Sequence, residues 1–316
     1  VKILIIKPSA LGDIVQALPV LTGLKRAYPT AEIDWIVNDT LEELLQGHPC
    51  LRRTIPYPRK RWTGLHRLPE IRRWAKRLAA EHYDITIDLQ GLLRSGLMTW
   101  AAGSEHRIGL QSAREGARTF YNEIVQDNAL SAAERYLTCL EHLGVEPRPL
   151  DFQLRAHVPR PEGLEAPYLA LHPYSKWRTK LWPWRYYQEL IDSMPGRRFA
   201  VVGEGPWFPL SAPGRLLDLR GKLTIGQLVA VLDGAHAVVS TDSGPAHIAA
   251  ALGRPTMVLF GATDWRRTRP IGVNVSIHTA GLFCSPCLKR KCWRDTRVEC
   301  MSLIETAHVS EFLAGL

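Results

Sequence analysis

The chain has 316 residues, 46% of them hydrophobic, and carries a formal charge of +9. That length accommodates two ordinary domains, and the apolar content predicts packed globular structure rather than disorder. No apolar run approaches the ~20 residues that span a bilayer and the apolar start is too short for a secretory leader, so the expected location is the cytoplasm.

In chain order, short β-like runs alternate with helical ones. The first half predicts strands at 2–6, 32–37 and 85–89, and helices at 13–27, 41–46 and 68–81. The stretch IIKPSALGDIV, residues 5–15, breaks the first strand into a turn that delivers Asp13 to a helix start. It has neither the G-x-G-x-x-G of a dinucleotide loop nor the Gly-Lys-Ser/Thr of a phosphate loop. A carboxylate at a helix N-terminus is favoured as the anion, which suits a proton acceptor or a structural role at the helix start. Pro19, inside the helical pattern, predicts a short first turn followed by a bend.

Positive charge is uneven, and its surplus points to an acidic partner: nucleic acid, an anionic membrane surface or a phosphorylated substrate. Between Arg59 and Arg77 stand eight Lys or Arg and one acid, Glu70. The segment LPEIRRWAKRLAA reads as an amphipathic helix with a solvated basic face. The preceding Arg59, Lys60 and Arg61 fall in a loop with no apolar face to serve.

Three prolines and a glycine in RAHVPRPEGLEAP mark a linker. The expected organisation is a first domain at 1–155, a linker at 156–167 and a second domain at 168–316. The second half predicts strands at 168–172, 198–203, 237–241, 256–260 and 274–277, helices at 184–193, 224–233 and 245–252, and a last helix at 304–313. Alternation of this kind predicts parallel sheets with helices on both faces, hence an α/β chain of two doubly wound domains. In such domains ligands bind at the carboxyl ends of the strands, here expected in the cleft between the two.

Several segments of the second half could carry chemistry. In HPYSKWRTKLWP, residues 172–183, Ser175, Lys176, Arg178, Thr179 and Lys180 follow a strand and can hold phosphate oxygens; a basic surface loop is the alternative, which Trp177 and Trp182 weaken. In VVGEG, Glu204 after a strand end can accept from ribose hydroxyls, or stand exposed. Leu223 can pack against a base, or belong to the core. In VVSTDSGPAHIAAALGRP, residues 238–255, a strand runs into Asp242, Ser243 and Gly244, with Pro245 at the first helical position. The free N–H groups, the Ser243 hydroxyl and the helix dipole suit a diphosphate, and Gly244 admits close approach. An ordinary N-cap by Ser243 or Asp242 is the alternative; His247, one turn in, adds a polar group at the same end. Cys284, Cys287, Cys292 and Cys300 follow a C-x2-C-x4-C-x7-C spacing. In a cytoplasmic protein this points to a structural zinc, or to four reduced thiols in a basic loop.

KPSALGDIVQALPVL, SKWRTKLWP and TDSGPAHIAAALGRPTMVLFGATD together resemble the bacterial ADP-heptose:lipopolysaccharide heptosyltransferases, in the right order and over nearly the whole length. The start is more similar to heptosyltransferase I than to heptosyltransferase II. The resemblance implies a GT-B fold, two Rossmann-like domains facing a cleft, with the acceptor held by the first and the donor by the second. It implies inverting transfer of heptose from ADP-heptose to Kdo of Kdo-lipid A, in the lipopolysaccharide inner core. Position by position it makes Asp13 the general base and Lys180 the group that steadies the donor phosphates. Ser175 and Lys176 take donor-binding positions. Asp242, Ser243, Gly244 and His247 form the diphosphate turn, and Ser9 and Gly12 the first-domain turn beside the donor. Glu204 matches the ribose-binding acid and Leu223 the apolar neighbour of adenine.

Arg59, Lys60, Arg61 and Arg94 then suit the phosphates and carboxylates of the acceptor, and an anionic lipid implies peripheral work at the inner face of the inner membrane. No D-x-D occurs in the chain, so transfer without a metal or other cofactor is expected, and nucleic acid is not expected as a partner. Two other readings stand beside this one: another sugar-nucleotide enzyme of the same architecture, such as a different glycosyltransferase or an epimerase, and a basic nucleic-acid-binding protein.

Overall fold

The computed structural model describes residues 1–294 and 297–316, with residue 65 by its backbone alone. The chain divides into two compact units, Val1–Gln153 and Leu154–Leu316.

The first unit runs β1 (Lys2–Ile6), α1 (Leu11–Ala27), β2 (Glu32–Asn38), β3 (Arg53–Tyr57), α2 (Leu68–Ala79), β4 (Ile85–Asp88), α3 (Leu93–Ala102), β5 (His106–Leu110), β6 (Glu123–Val125) and α4 (Ala132–His142). The six strands form one parallel sheet in the order β3-β2-β1-β4-β5-β6. Central β1 reads KILII because helices cover both faces of a parallel sheet, and Ile3 to Ile6 are fully buried. Its register sets Ile3 against both Ile33 and Ile85.

The bend expected at Pro19 does not divide the first helix: α1 is one element from Leu11 to Ala27 with Pro19 inside it. Every residue from Ile14 to Leu24 is buried, and this tertiary packing outweighs the one hydrogen bond that proline forfeits. The helix lies close against α4. A Cβ at Gly23 would stand 2.5 Å from Leu140 Cδ1.

Strand β3 went unpredicted because Pro56 interrupts its pattern. It occupies the sheet edge, where proline costs no central ladder bond. On β2, the buried Asp34 accepts from Arg52 and Tyr83. Burial pushes its carboxyl up, but those hydrogen bonds and the charges of Arg52 and Arg53 outweigh it and hold the group below the usual carboxylate range.

The second unit runs β7 (Tyr168–His172), α5 (Trp184–Ser193), β8 (Arg198–Val201), β9 (Leu216–Asp218), α6 (Ile225–Asp233), β10 (Ala237–Thr241), α7 (Gly244–Ala251), β11 (Thr256–Phe260), α8 (Trp265–Thr268), β12 (Val275–Thr279), α9 (Glu299–Ser302) and α10 (Thr306–Ala314). Its parallel sheet is ordered β12-β11-β10-β7-β8-β9. Counted from the first strand of each unit, both sheets follow the doubly wound order 3-2-1-4-5-6. Each therefore has one switch point where the chain reverses its direction of growth. These points lie beyond the carboxyl ends of β1 and β4 in the first unit, and of β7 and β10 in the second. Among the described residues, no helix is long and apolar enough to cross a membrane.

Candidate active site

At the first unit's switch point the chain leaves β1 through Lys7, Pro8 and Ser9 and enters α1. Asp13 is the third residue of that helix, and its Oδ2 accepts the N–H of Ala10 at 3.2 Å. The carboxylate thus serves the helix start, yet its side chain remains 44% exposed. Behind it lies Lys7, a residue the sequence reading passed over. Its side chain is 3% exposed and its Nζ stands 3.9 Å from Asp13 Oδ2.

Ser9 lines a cavity of about 130 Å³ with Asn38, Arg59, Gln90, Arg94 and Glu115. The two arginines, 35 positions apart in sequence, meet there because the loop after β3 and the start of α3 both lie at the carboxyl edge of the sheet. Arg61 lies elsewhere, in a groove of about 510 Å³ that includes Trp62, Trp74 and Arg77, and faces Asp39 at 3.9 Å. Lys60 is exposed and lines neither. Gly12 is half-buried in the first turn of α1.

At the second unit's switch point the segment after β7 meets the segment after β10. Lys180 donates from Nζ to Asp242 Oδ2 at 2.7 Å, and Thr263 Oγ1 donates to the same oxygen at 2.6 Å. Lys180 is 15% exposed and Asp242 only 6%. A buried carboxylate would repel a diphosphate, so the useful part of Asp242 is its hold on the lysine. The Trp177 ring lies 4.9 Å from Lys180 Nζ and 5.4 Å from the Arg290 guanidinium, a cation platform. Trp182 is a core residue whose Nε1 donates to the Ile304 carbonyl.

Ser243 occupies the N-cap position of α7, but its side chain makes no cap hydrogen bond. Its Oγ turns inward, 3.0 Å from His172 Nδ1. Asp242 is likewise turned away to Lys180, so neither side chain caps the helix as the alternative reading required. At the start of α7 Pro245 has no N–H and the Ala246 N–H donates to the Ser243 carbonyl at 3.2 Å, so the Gly244 N–H is the group that can meet an incoming anion. His172 is buried, and burial pushes its imidazole down to about 4, so the ring is neutral at pH 7. This ring accounts for Gly203. A Cβ there would lie 2.6 Å from His172 Cδ2, and the backbone has φ +103°. Gly205 is crowded in the same way by Tyr174. His247 is buried in α7 and Gly244 is half-buried at its start. Ser175 is half-buried and Lys176 exposed. Glu204 is exposed, and Leu223 half-buried just before the Thr224 cap of α6.

The four clustered cysteines line one small cavity with Trp293 and Arg294. All are free thiols. Burial and the three neighbouring thiols push Cys300 up to about 11. Among the described residues no group of three or more His, Cys, Asp or Glu is arranged to hold a metal ion. The loop is pinned by protein contacts instead: Leu288 N–H donates to Ala262 O at 2.8 Å, Ser285 Oγ to Gly261 O at 2.5 Å, and Thr179 Oγ1 to Lys289 O at 2.6 Å.

Comparison with known proteins places this arrangement. The profile of Glycosyltransferase family 9 (heptosyltransferase) matches residues 71–206 and 209–296. Lipopolysaccharide heptosyltransferase 1 of Pseudomonas aeruginosa is 33% identical over 92% of this chain and 87% of its own. The solved structure of E. coli heptosyltransferase WaaC with ADP superposes with a TM-score of 0.82 at 26% identity, covering 100% of this chain and 99% of that one. The same enzyme with ADP-2-deoxy-2-fluoro heptose gives 0.78 at 26% identity and the same coverage. The fold is GT-B, and the chain belongs to glycosyltransferase family 9, the heptosyltransferases.

Proposed function

We propose that this glycosyltransferase moves heptose from ADP-heptose to a Kdo residue of the lipopolysaccharide inner core, inverting the anomeric centre, as a heptosyltransferase I. The observation that carries the reading is Lys180, held by Asp242 beside the start of α7 at the switch point of the second unit. The E. coli enzyme whose structures hold ADP and a fluorinated ADP-heptose supports the donor, and the Pseudomonas relative supports the acceptor.

In this reading Asp13 takes the proton of an acceptor hydroxyl. The freed oxygen forms its bond to the anomeric carbon from the face opposite ADP. The bond from that carbon to the phosphate oxygen breaks, and its electron pair leaves on ADP, where Lys180 and the start of α7 meet the charge. The acceptor's anionic sugars suit Arg59 and Arg94 in the first-unit cavity. Turnover of ADP-heptose with Kdo-lipid A tests the assignment. Asp13→Ala is expected to lose about 10²–10⁴ in kcat with the KM for ADP-heptose kept within about two-fold. Lys180→Ala is expected to lose about 10²–10³ in kcat and to weaken ADP. Native turnover in Asp13→Ala would remove the base from its role.

The enzyme then works on the inner face of the inner membrane. What supports this is the outer side of α3, where Leu93, Leu97 and Trp100 are exposed at i, i+4 and i+7 beside Arg94. Flotation with anionic vesicles is expected for the native chain and lost in Leu97→Ser/Trp100→Ser; equal flotation of both removes this face from docking.

A further inference from the structure

The strand-to-helix turn that presents Asp13 is built over a buried lysine. Lys7 leaves β1 with its backbone fixed on both sides: its N–H donates to Ile36 O at 3.3 Å, and its carbonyl accepts from Trp35 Nε1 at 3.1 Å. The side chain is buried among four elements. Nζ donates to Leu89 O at 3.0 Å, beyond the end of β4, and lies 4.9 Å over the Tyr136 ring of α4. Its remaining charged neighbour in reach is Asp13 Oδ2, on α1, at 3.9 Å.

Lysine is among the residues least often buried, and an ammonium withdrawn from water is costly unless a counter-charge faces it. Asp88 on β4 and Asp13 on α1 supply negative charge, while Arg135 on α4 adds positive charge. Burial lowers the lysine from its ordinary value, and the two carboxylates act against that fall. Asp88 is already occupied, since it accepts from Tyr121 Oη at 2.6 Å and from the N–H groups of Gln90 and Gly91 at 2.8 and 3.0 Å. Arg135 is drawn off by Asp127, to which its Nε donates at 2.9 Å. Of the acids around Lys7, Asp13 alone also reaches solvent.

We propose that Lys7 is a positioning residue for the reaction: it holds Asp13 Oδ2 from behind, together with the Ala10 N–H, so that Oδ1 is the oxygen turned to the acceptor hydroxyl. This rests on Asp13 being the base. A cation at about 4 Å favours the charged form of a carboxylate. Fixing one oxygen from below also selects the rotamer in which the other can take a proton.

The test is kcat and KM with ADP-heptose and Kdo-lipid A for Lys7→Met, which keeps the length of the side chain and removes the charge. A second variant, Lys7→Gln, retains a donor for Leu89 O and carries the test if the first does not fold; thermal midpoints report folding for both. In the folded variants kcat is expected to fall about ten-fold from lost orientation, with the KM for ADP-heptose unchanged. Native kcat in the folded variants, or a fall carried by KM instead, overturns the proposal. Asp13→Asn separates the two levels. If it is inactive while the Lys7 variants keep native kcat, only the role of Lys7 fails. If it turns over normally, the assignment of the base fails as well.

Discussion

Both units place a Lys–Asp pair at the switch point of a 3-2-1-4-5-6 sheet, and the two pairs are built in opposite senses. In the first unit the lysine is withdrawn to 3% exposure and the carboxylate stands 44% exposed, with 3.9 Å between them. In the second the carboxylate is withdrawn to 6%, the lysine is the more open partner at 15%, and the pair is closed to 2.7 Å. Whichever member faces outward sets what the site can offer. An outward carboxylate with a cation behind it offers a base; an outward ammonium with an anion behind it offers a partner for phosphate. In the proposed mechanism one topology supplies both halves of a group transfer, and the polarity of the buried partner separates them.

The sharpest way to break that comparison is to neutralise the buried member of the second pair. Asp242→Asn leaves Thr263 able to donate to the amide oxygen but removes the charge that fixes Lys180. We expect kcat/KM for ADP-heptose to fall about 10²-fold, carried by both KM and kcat, with the acid limb of the pH profile unmoved because no base has been touched. Neutralising the buried member of the first pair should lower kcat while sparing KM. Should Asp242→Asn keep native kcat/KM while Lys180→Ala loses it, the lysine needs no anchor and the symmetry between the pairs is only formal.

The same contrast explains what could be read from the sequence. Strands β1, β2, β4, β7, β8, β10 and β11 are buried runs, and their composition alone announces them. Strands β3, β6 and β9 are edge or next-to-edge pieces, short or interrupted, and only partly covered. In β5 a glycine breaks the apolar run, because the Tyr121 ring would stand 2.1 Å from a Cβ at Gly109. At the sites, Asp13, Lys180, Asp242 and Ser243 could be placed because each follows a strand end within a local pattern. Their partners could not. Lys7 bonds to a carbonyl 82 positions away and His172 to a serine 71 positions away. Nothing near Thr263 in sequence announces that its hydroxyl serves Asp242. Local patterning shows where a chain turns, while long-range pairing decides what the turn holds. The cysteine spacing has the same limit, since it suggests a metal knuckle and says nothing of the contacts that pin the loop.

A smaller effect sharpens the comparison from beneath the pairs. Under Asp13 the first unit buries a cation, whereas under Ser243 the second buries a neutral ring, His172. Burial holds that imidazole at about 4 in the folded chain, against an ordinary value near 6.5. Between those values the unfolded chain binds a proton at this position and the folded chain declines it, so stability is lost as pH falls from about 6.5 to about 4. The full contribution, present above the upper value, is on the order of 3 kcal/mol. His172→Asn keeps a polar group beside Ser243 and removes the titration. Thermal midpoints at pH 7 and pH 5 should therefore converge in the variant relative to the native chain, while carboxylates such as Asp34 titrate alike in both. An equal loss in the two proteins would mean that the folded chain accepts the proton, and that the turn before α7 rests on a charged ring as the turn before α1 rests on a charged lysine.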